Sequence, residues 1–195
     1  MRRITFVIYP GYSAMALAAV SVFETANMVA GDTLYELRFV SEKGGSVGTS
    51  SGLELKCGRF DDEPGDTLLV GGATFPKPSS PAMIAYVRRA AQSHRRIAAI
   101  CTGAFVLAEA GLLNGRRATT HWMHARELQK RFPSATIDED RIFINANAII
   151  QDNVDPDLKP GAVGLDRKVA DYGNDLFLYF RGEGSDPVEM EVQGL

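Results

Sequence analysis

Two periods of apolar spacing alternate along this chain. Short runs of strand composition lie at Ile4 to Tyr9, Tyr35 to Ser41, Thr67 to Val70, Ile97 to Ile100, Arg117 to Thr120 and Arg141 to Ile144. Between them, apolar residues recur with helical spacing over Met15 to Ala30, Pro81 to Ser93, Ala104 to Ala110 and Ala125 to Phe132. Strand and helix in alternation predict an α/β domain, a parallel sheet covered on both faces. The glycines and serines from Glu42 to Cys57, with Leu53, Glu54, Leu55 and Lys56 alternating, predict a small antiparallel excursion. Towards the end, Val169, Tyr172, Leu176 and Tyr179 form the stripe of an amphipathic helix, interrupted by Gly173, that reads as core packing or a dimer face.

Cys101 stands where this pattern turns from a strand straight into a helix. Unpaired amides and the helix dipole at such a corner favour a thiolate, so a lowered thiol pKa is expected, and Gly103 is expected to let the turn and a ligand approach closely. The competing reading is a buried structural cysteine. The helix Ala104 to Ala110 closes at Gly111, and Asn114 with Gly115 makes a turn into Arg117 to Thr120. A helix of about nine residues descends ~14 Å and a strand of about four climbs back nearly as far, which returns His121 to the level of Cys101. Adjacent strands would thus deliver a cysteine and a histidine to the carboxyl edge of the sheet, where open α/β folds bind ligands. The alternative for His121 is a strand-end histidine bonded to backbone. Gly71 and Gly72 follow the buried run Thr67 to Val70 at the same edge, and with the Thr102 amide they offer a cradle for an oxyanion or carboxylate, though most such glycine pairs are only turns.

Composition narrows the classes. At 195 residues, 45% hydrophobic and 23% charged, the chain fits one α/β domain. A net charge of −3 argues against DNA binding by this chain, since duplex readers present a basic face. The cluster Arg88, Arg89, His94, Arg95 and Arg96 reads as a solvated face with cations at a helix carboxyl end. Cys57 and Cys101 give no disulfide framework and suit a reducing, cytoplasmic compartment. The apolar run before Pro10 is too short for a signal peptide, and none approaches the ~18 residues of a membrane span. His124 beside His121 makes only a weak metal motif, so no metal and no cofactor are expected. Glu183, Asp186, Glu189 and Glu191 mark residues 182–195 as an acidic tail after a domain over residues 1–181.

The stretch ICTGAFVLAEAGLLNGRRATTHW, Ile100 to Trp122, resembles the nucleophile-elbow region of the PfpI/ThiJ superfamily. Phe6 to Asn27, Arg38 to Gly52 and Leu68 to Gly72 carry the resemblance further, and most closely to the GlxA-like branch, the amino-terminal domain of AraC-type transcriptional regulators. It implies a three-layer, flavodoxin-like fold of the class I glutamine amidotransferase type. It also implies that Cys101 is the reactive cysteine, His121 its partner, and Gly72 and Thr102 the oxyanion positions. Two departures matter. Ala16 stands where enzymatic relatives such as isonitrile hydratases carry an acid, and Glu24 lies eight residues on, ~12 Å away along a helix. Met123 stands where glutamine amidotransferases place the glutamate that orients the histidine. Without a local acid, binding is easier to justify than turnover. The expectation is a homodimeric sensor that holds a small-molecule ligand at Cys101, His121, Gly71, Gly72, Thr102 and Gly103. The alternatives are a thiol-dependent hydratase, hydrolase or lyase, and a redox sensor. An AraC-type regulator reads DNA with a separate domain, for which the sequence after Tyr179 is too short.

Overall fold

In the computed structural model, residues 1–141 and 144 are described. Five strands run parallel: β1 (Arg2–Val7), β2 (Tyr35–Ser41), β4 (Glu54–Arg59), β5 (Thr67–Val70) and β6 (Arg96–Ala99). A sixth, β3 (Gly45–Gly48), pairs antiparallel with β4 and forms the expected excursion. The sheet order is β3-β4-β2-β1-β5-β6. Ile4 to Val7 and all of Thr67 to Val70 are buried, as strands covered on both faces must be.

Side-chain alternation shows what covers each face. Phe6 stacks on Phe39, and Phe23 of helix α1 (Ala18–Ala30) meets Phe6 and Tyr35 edge-on. The neighbouring positions Val7 and Val40, with Leu68 and Val70, join a core built with α2 (Pro81–Ser93) and α3 (Gly103–Glu109). Successive strand residues point to opposite faces, so α1 lies on one side of the sheet and α2 with α3 on the other. The fold is the three-layer α/β arrangement expected from the sequence. Helix α2 begins where expected because the Ser80 Oγ accepts the Met83 amide at 3.1 Å and Pro81 occupies the first turn.

Several expectations need correction. The helix expected from Met15 opens instead as a 3-10 turn, Ala14–Leu17, before α1. The strand expected over Arg117 to Thr120 is only β7 (Arg117–Ala118), and it does not join the central sheet beside β6. It pairs in parallel with β8 (Thr136–Ile137), a strand too short to read from sequence. Ala118 is the one apolar residue of that stretch, so the segment cannot fill a place buried on both faces. Arg141 is not in a strand, and the rest of Arg141 to Ile144 lies largely outside the described residues. The stripe Val169 to Tyr179 and the acidic residues 182–195 also lie outside them.

The basic cluster is not one solvated face. The Arg88 guanidinium donates to Ala110 O at 3.0 Å and Glu109 O at 3.4 Å, closing the carboxyl end of α3. Arg89 pairs with Asp62 and Arg95 with Asp66, while His94 is buried. Among the described residues no helix is long and apolar enough to cross a membrane.

Candidate functional site

The carboxyl ends of β5 and β6 meet at the cysteine. Cys101 adopts φ +56°, a left-handed conformation that costs a residue with a side chain about 1–2 kcal/mol. The close fit beneath it explains why the turn is held there. A Cβ on Gly103 would sit 2.1 Å from Val70 O, and one on Gly72 would sit 2.6 Å from Thr102 Oγ1 and 3.2 Å from Cys101 Cβ. The corner therefore packs directly onto the end of β5, glycine against backbone. Gly103 is buried in this contact, which is the close approach of the turn expected of it. Gly71 is shaped likewise by Tyr12, whose hydroxyl would lie 2.2 Å from an added Cβ.

Hydrogen bonds fasten the corner to three neighbouring segments. Thr102 Oγ1 donates to Ala73 O at 2.6 Å, Ser13 N to Gly72 O at 2.7 Å, and Tyr9 Oη to Gly71 O at 2.8 Å. From the segment that follows β7, Thr120 Oγ1 donates to Cys101 O at 2.9 Å. This bond, not a shared ladder, brings the segment carrying His121 to the cysteine. Cys101 and His121 are both half-buried there, with Gly72 and Thr102 buried between the strand ends.

Electrostatics at the thiol run against the sequence expectation. Burial pushes the Cys101 thiol up from its ordinary range, and hydrogen bonding to Thr102, chiefly from its amide, only partly offsets it. Burial likewise holds the Tyr9 and Tyr12 phenols well above their usual value, so both are protonated donors. Tyr12 is fully buried and its hydroxyl has no partner among the described residues.

His121 precedes a 3-10 turn, Trp122–His124, and its Nδ1 accepts the Met123 amide at 3.3 Å. With Nδ1 used as an acceptor, the neutral ring carries its proton on Nε2 and presents a donor there. The Met123 side chain is 61% exposed and carries no carboxylate, so its contribution to His121 is the backbone amide alone. Ala16 is buried in the turn after Ser13, with no carboxylate at its position. Glu127 lies 3.5 Å from His124 Nδ1, and the His124 ring lies 6.0 Å from that of His121. Among the described residues, no three His, Cys, Asp or Glu side chains converge as metal ligands.

Tyr9, Tyr12 and Thr120 were not foreseen as site residues. The available signal was their place just beyond strand ends at the edge where Cys101 emerges.

Comparison with known proteins places this arrangement. Over 137 residues, 68% of this chain, it is 37% identical to an "Uncharacterized protein in cpoL 5'region" of Streptomyces lividans and covers 96% of that protein. It is 35% identical over 139 residues to the HTH-type transcriptional regulator GlxA of Rhizobium meliloti (strain 1021), of which it covers 43%. The chain thus spans less than half the length of that regulator. The crystal structure of an AraC family transcriptional regulator from Pseudomonas putida superposes with a TM-score of 0.62 over 71% of this chain and 76% of that one, at 24% identity, a likeness of fold. The sequence model of the DJ-1/PfpI family matches residues 2–154, and with the sheet, the glycine-backed corner and these relatives in agreement, the chain belongs to the DJ-1/PfpI family.

Proposed function

We propose that this domain is the ligand-sensing part of an AraC-type transcriptional regulator, and that it holds a small anionic or amide-bearing metabolite over Cys101. The polar contacts are the Gly72 and Thr102 amides and the Nε2–H of His121, while Gly71 and Gly103 shape the floor beneath. A ligand with acceptor oxygens suits a group of donors. The two elements of the reading have separate supports: regulators among its relatives, and a site poor in acid-base chemistry.

The observation that carries it is the state of the cysteine and histidine. The thiol is raised by burial and is not made a thiolate, and the His121 nitrogen that a carboxylate would orient is occupied by a backbone amide. A general base at Nε2 needs the opposite tautomer. Binding would then act by shifting a packing or dimer equilibrium that a DNA-binding module reads, through a difference in affinity for the two states. Such a site binds better than it turns over.

The test is a melting-temperature screen against a panel of small carboxylates and amides. A stabilising compound whose effect disappears in Cys101→Ala supports the reading. No stabilisation across the panel, or stabilisation that Cys101→Ala and Gly72→Ala leave intact, contradicts it. Turnover of an isonitrile, amide or α-oxoaldehyde that disappears in Cys101→Ser would replace sensing with thiol catalysis.

A further inference from the structure

A left-handed Cys101 persists only if its surroundings fix it, since strained backbone costs about 1–3 kcal/mol and relaxes when released. Most of the bonds at this corner hold its neighbours. Ile100 N donates to Val70 O at 2.9 Å, Gly103 N to Ile100 O at 2.9 Å, and the Thr102 hydroxyl to Ala73 O. The Cys101 carbonyl accepts two bonds among the described residues: a long one from Ala104 N at 3.4 Å, and one at 2.9 Å from the Thr120 hydroxyl. Thr120 therefore supplies the short contact to the strained peptide, and it does so from β7's segment, outside the corner.

The same residue leads straight into a connected pair of rings. His121 follows Thr120 and is anchored through Nδ1 to Met123 N, and its ring stacks on Trp122 with centroids 5.8 Å apart and planes 26° apart. Trp122 is 65% exposed and is the single tryptophan of the sequence.

We propose that Thr120 is a positioning residue: its hydroxyl holds the Cys101 peptide in the left-handed conformation and couples the state of that thiol to the His121–Trp122 ring pair. The inference concerns the cysteine's posture and its reporter, and needs no natural ligand. Its test uses iodoacetamide, so it fails independently of the sensing proposal.

In the assay, the Cys101 thiolate displaces iodide from iodoacetamide, forming a carbon–sulfur bond. Rates at Cys101 and Cys57 are separated by mass spectrometry, with Trp122 emission followed in parallel. In the wild-type chain, alkylation of Cys101 changes the emission, and Cys101→Ser abolishes the change. Thr120→Val removes the hydroxyl and keeps the shape. Loss of one net hydrogen bond loosens the corner, so Cys101 alkylation is expected about three- to tenfold faster with the emission change lost. Thr120→Ser restores both readouts. Thr119 Oγ1 donates to Arg141 O at 2.8 Å and lies 3.5 Å from Thr120 O but does not bond Cys101, so Thr119→Val leaves both at wild-type values.

A folded Thr120→Val with wild-type rate and emission change overturns the proposal. Where the valine variant does not fold, Thr120→Ala is judged by the same criterion. If neither folds, wild-type emission that ignores Cys101 alkylation overturns it, and an emission change that Thr120→Ser preserves supports it.

Discussion

Gly103→Ala probes the fit of the cysteine corner onto β5. The added Cβ would lie 2.1 Å from Val70 O, 2.9 Å from Val70 C and 3.0 Å from Gly71 O, all main-chain atoms of a buried parallel strand. Reaching the shortest separation that real Cβ atoms show, 3.0 Å, requires the start of α3 or the Val70 peptide to move by about 0.9 Å. Neither neighbour is the free end of a side chain. Overpacking in a dense core costs ~1–3 kcal/mol, and immovable backbone places this case at the upper end. Replacing glycine by alanine in a helix returns ~1 kcal/mol at most, so the net loss is about 2 kcal/mol. For a chain of this size that corresponds to ~4–8 °C in Tm. Gly48→Ala is the control: an added Cβ meets nothing within 4 Å and φ is not positive, so it is expected within ~0.5 kcal/mol of wild type. Thermal and urea unfolding measure both variants, and iodoacetamide reports whether the thiol becomes more accessible. If Gly103→Ala unfolds within error of Gly48→Ala, the close packing of the corner on β5 is wrong.

Three further outcomes follow from the structure. Because burial raises the Cys101 thiol, its alkylation should remain slow at neutral pH and keep rising beyond pH 9, and a plateau reached below pH 7.5 would contradict the desolvation. Burial lowers the pKa of His94, so the unfolded chain takes up its proton first as pH falls; stability present above about pH 6.5 should decline below it, and His94→Gln should flatten that slope in Tm measured from pH 8 to 5. Removing the Arg88 bonds to Ala110 O and Glu109 O should cost Arg88→Ala about 0.5–1.5 kcal/mol in urea unfolding, and an unchanged midpoint would show that the end of α3 needs no such closure.

Local signals were read well where they carried their own cause. Ser80 and Pro81 start α2, a fully buried apolar run makes β5 and a half-buried one the edge strand β6, and Cys101 lies at the strand-to-helix corner that its neighbours Ile100 and Gly103 imply. What escaped reading depends on partners distant in sequence. The pairing of β7 with β8 rests on two-residue ladders with no periodicity to detect. The direction of the Cys101 shift turns on desolvation by packed neighbours, which a helix-start rule leaves out. Gly103 was expected to let the turn and a ligand approach closely; the turn packs on Val70 O, and only the folded register supplies that atom. The missing acid at Ala16 and Met123 was visible from the residues alone, because an absent carboxylate needs no coordinates. The role of the Met123 amide on His121 Nδ1 was not visible, since backbone donors carry no sequence signature.

The central claim is that the edge joining Gly72, Cys101, Thr102 and His121 takes up a small acceptor-bearing molecule. Amide chemical-shift mapping of the whole chain, titrated with a stabilising carboxylate or amide from the melting screen, tests this residue by residue. The account predicts shifts centred on Gly72, Cys101, Thr102, His121 and Met123 that disappear in Cys101→Ala. Shifts centred elsewhere, or the same shifts persisting in Cys101→Ala, would contradict it.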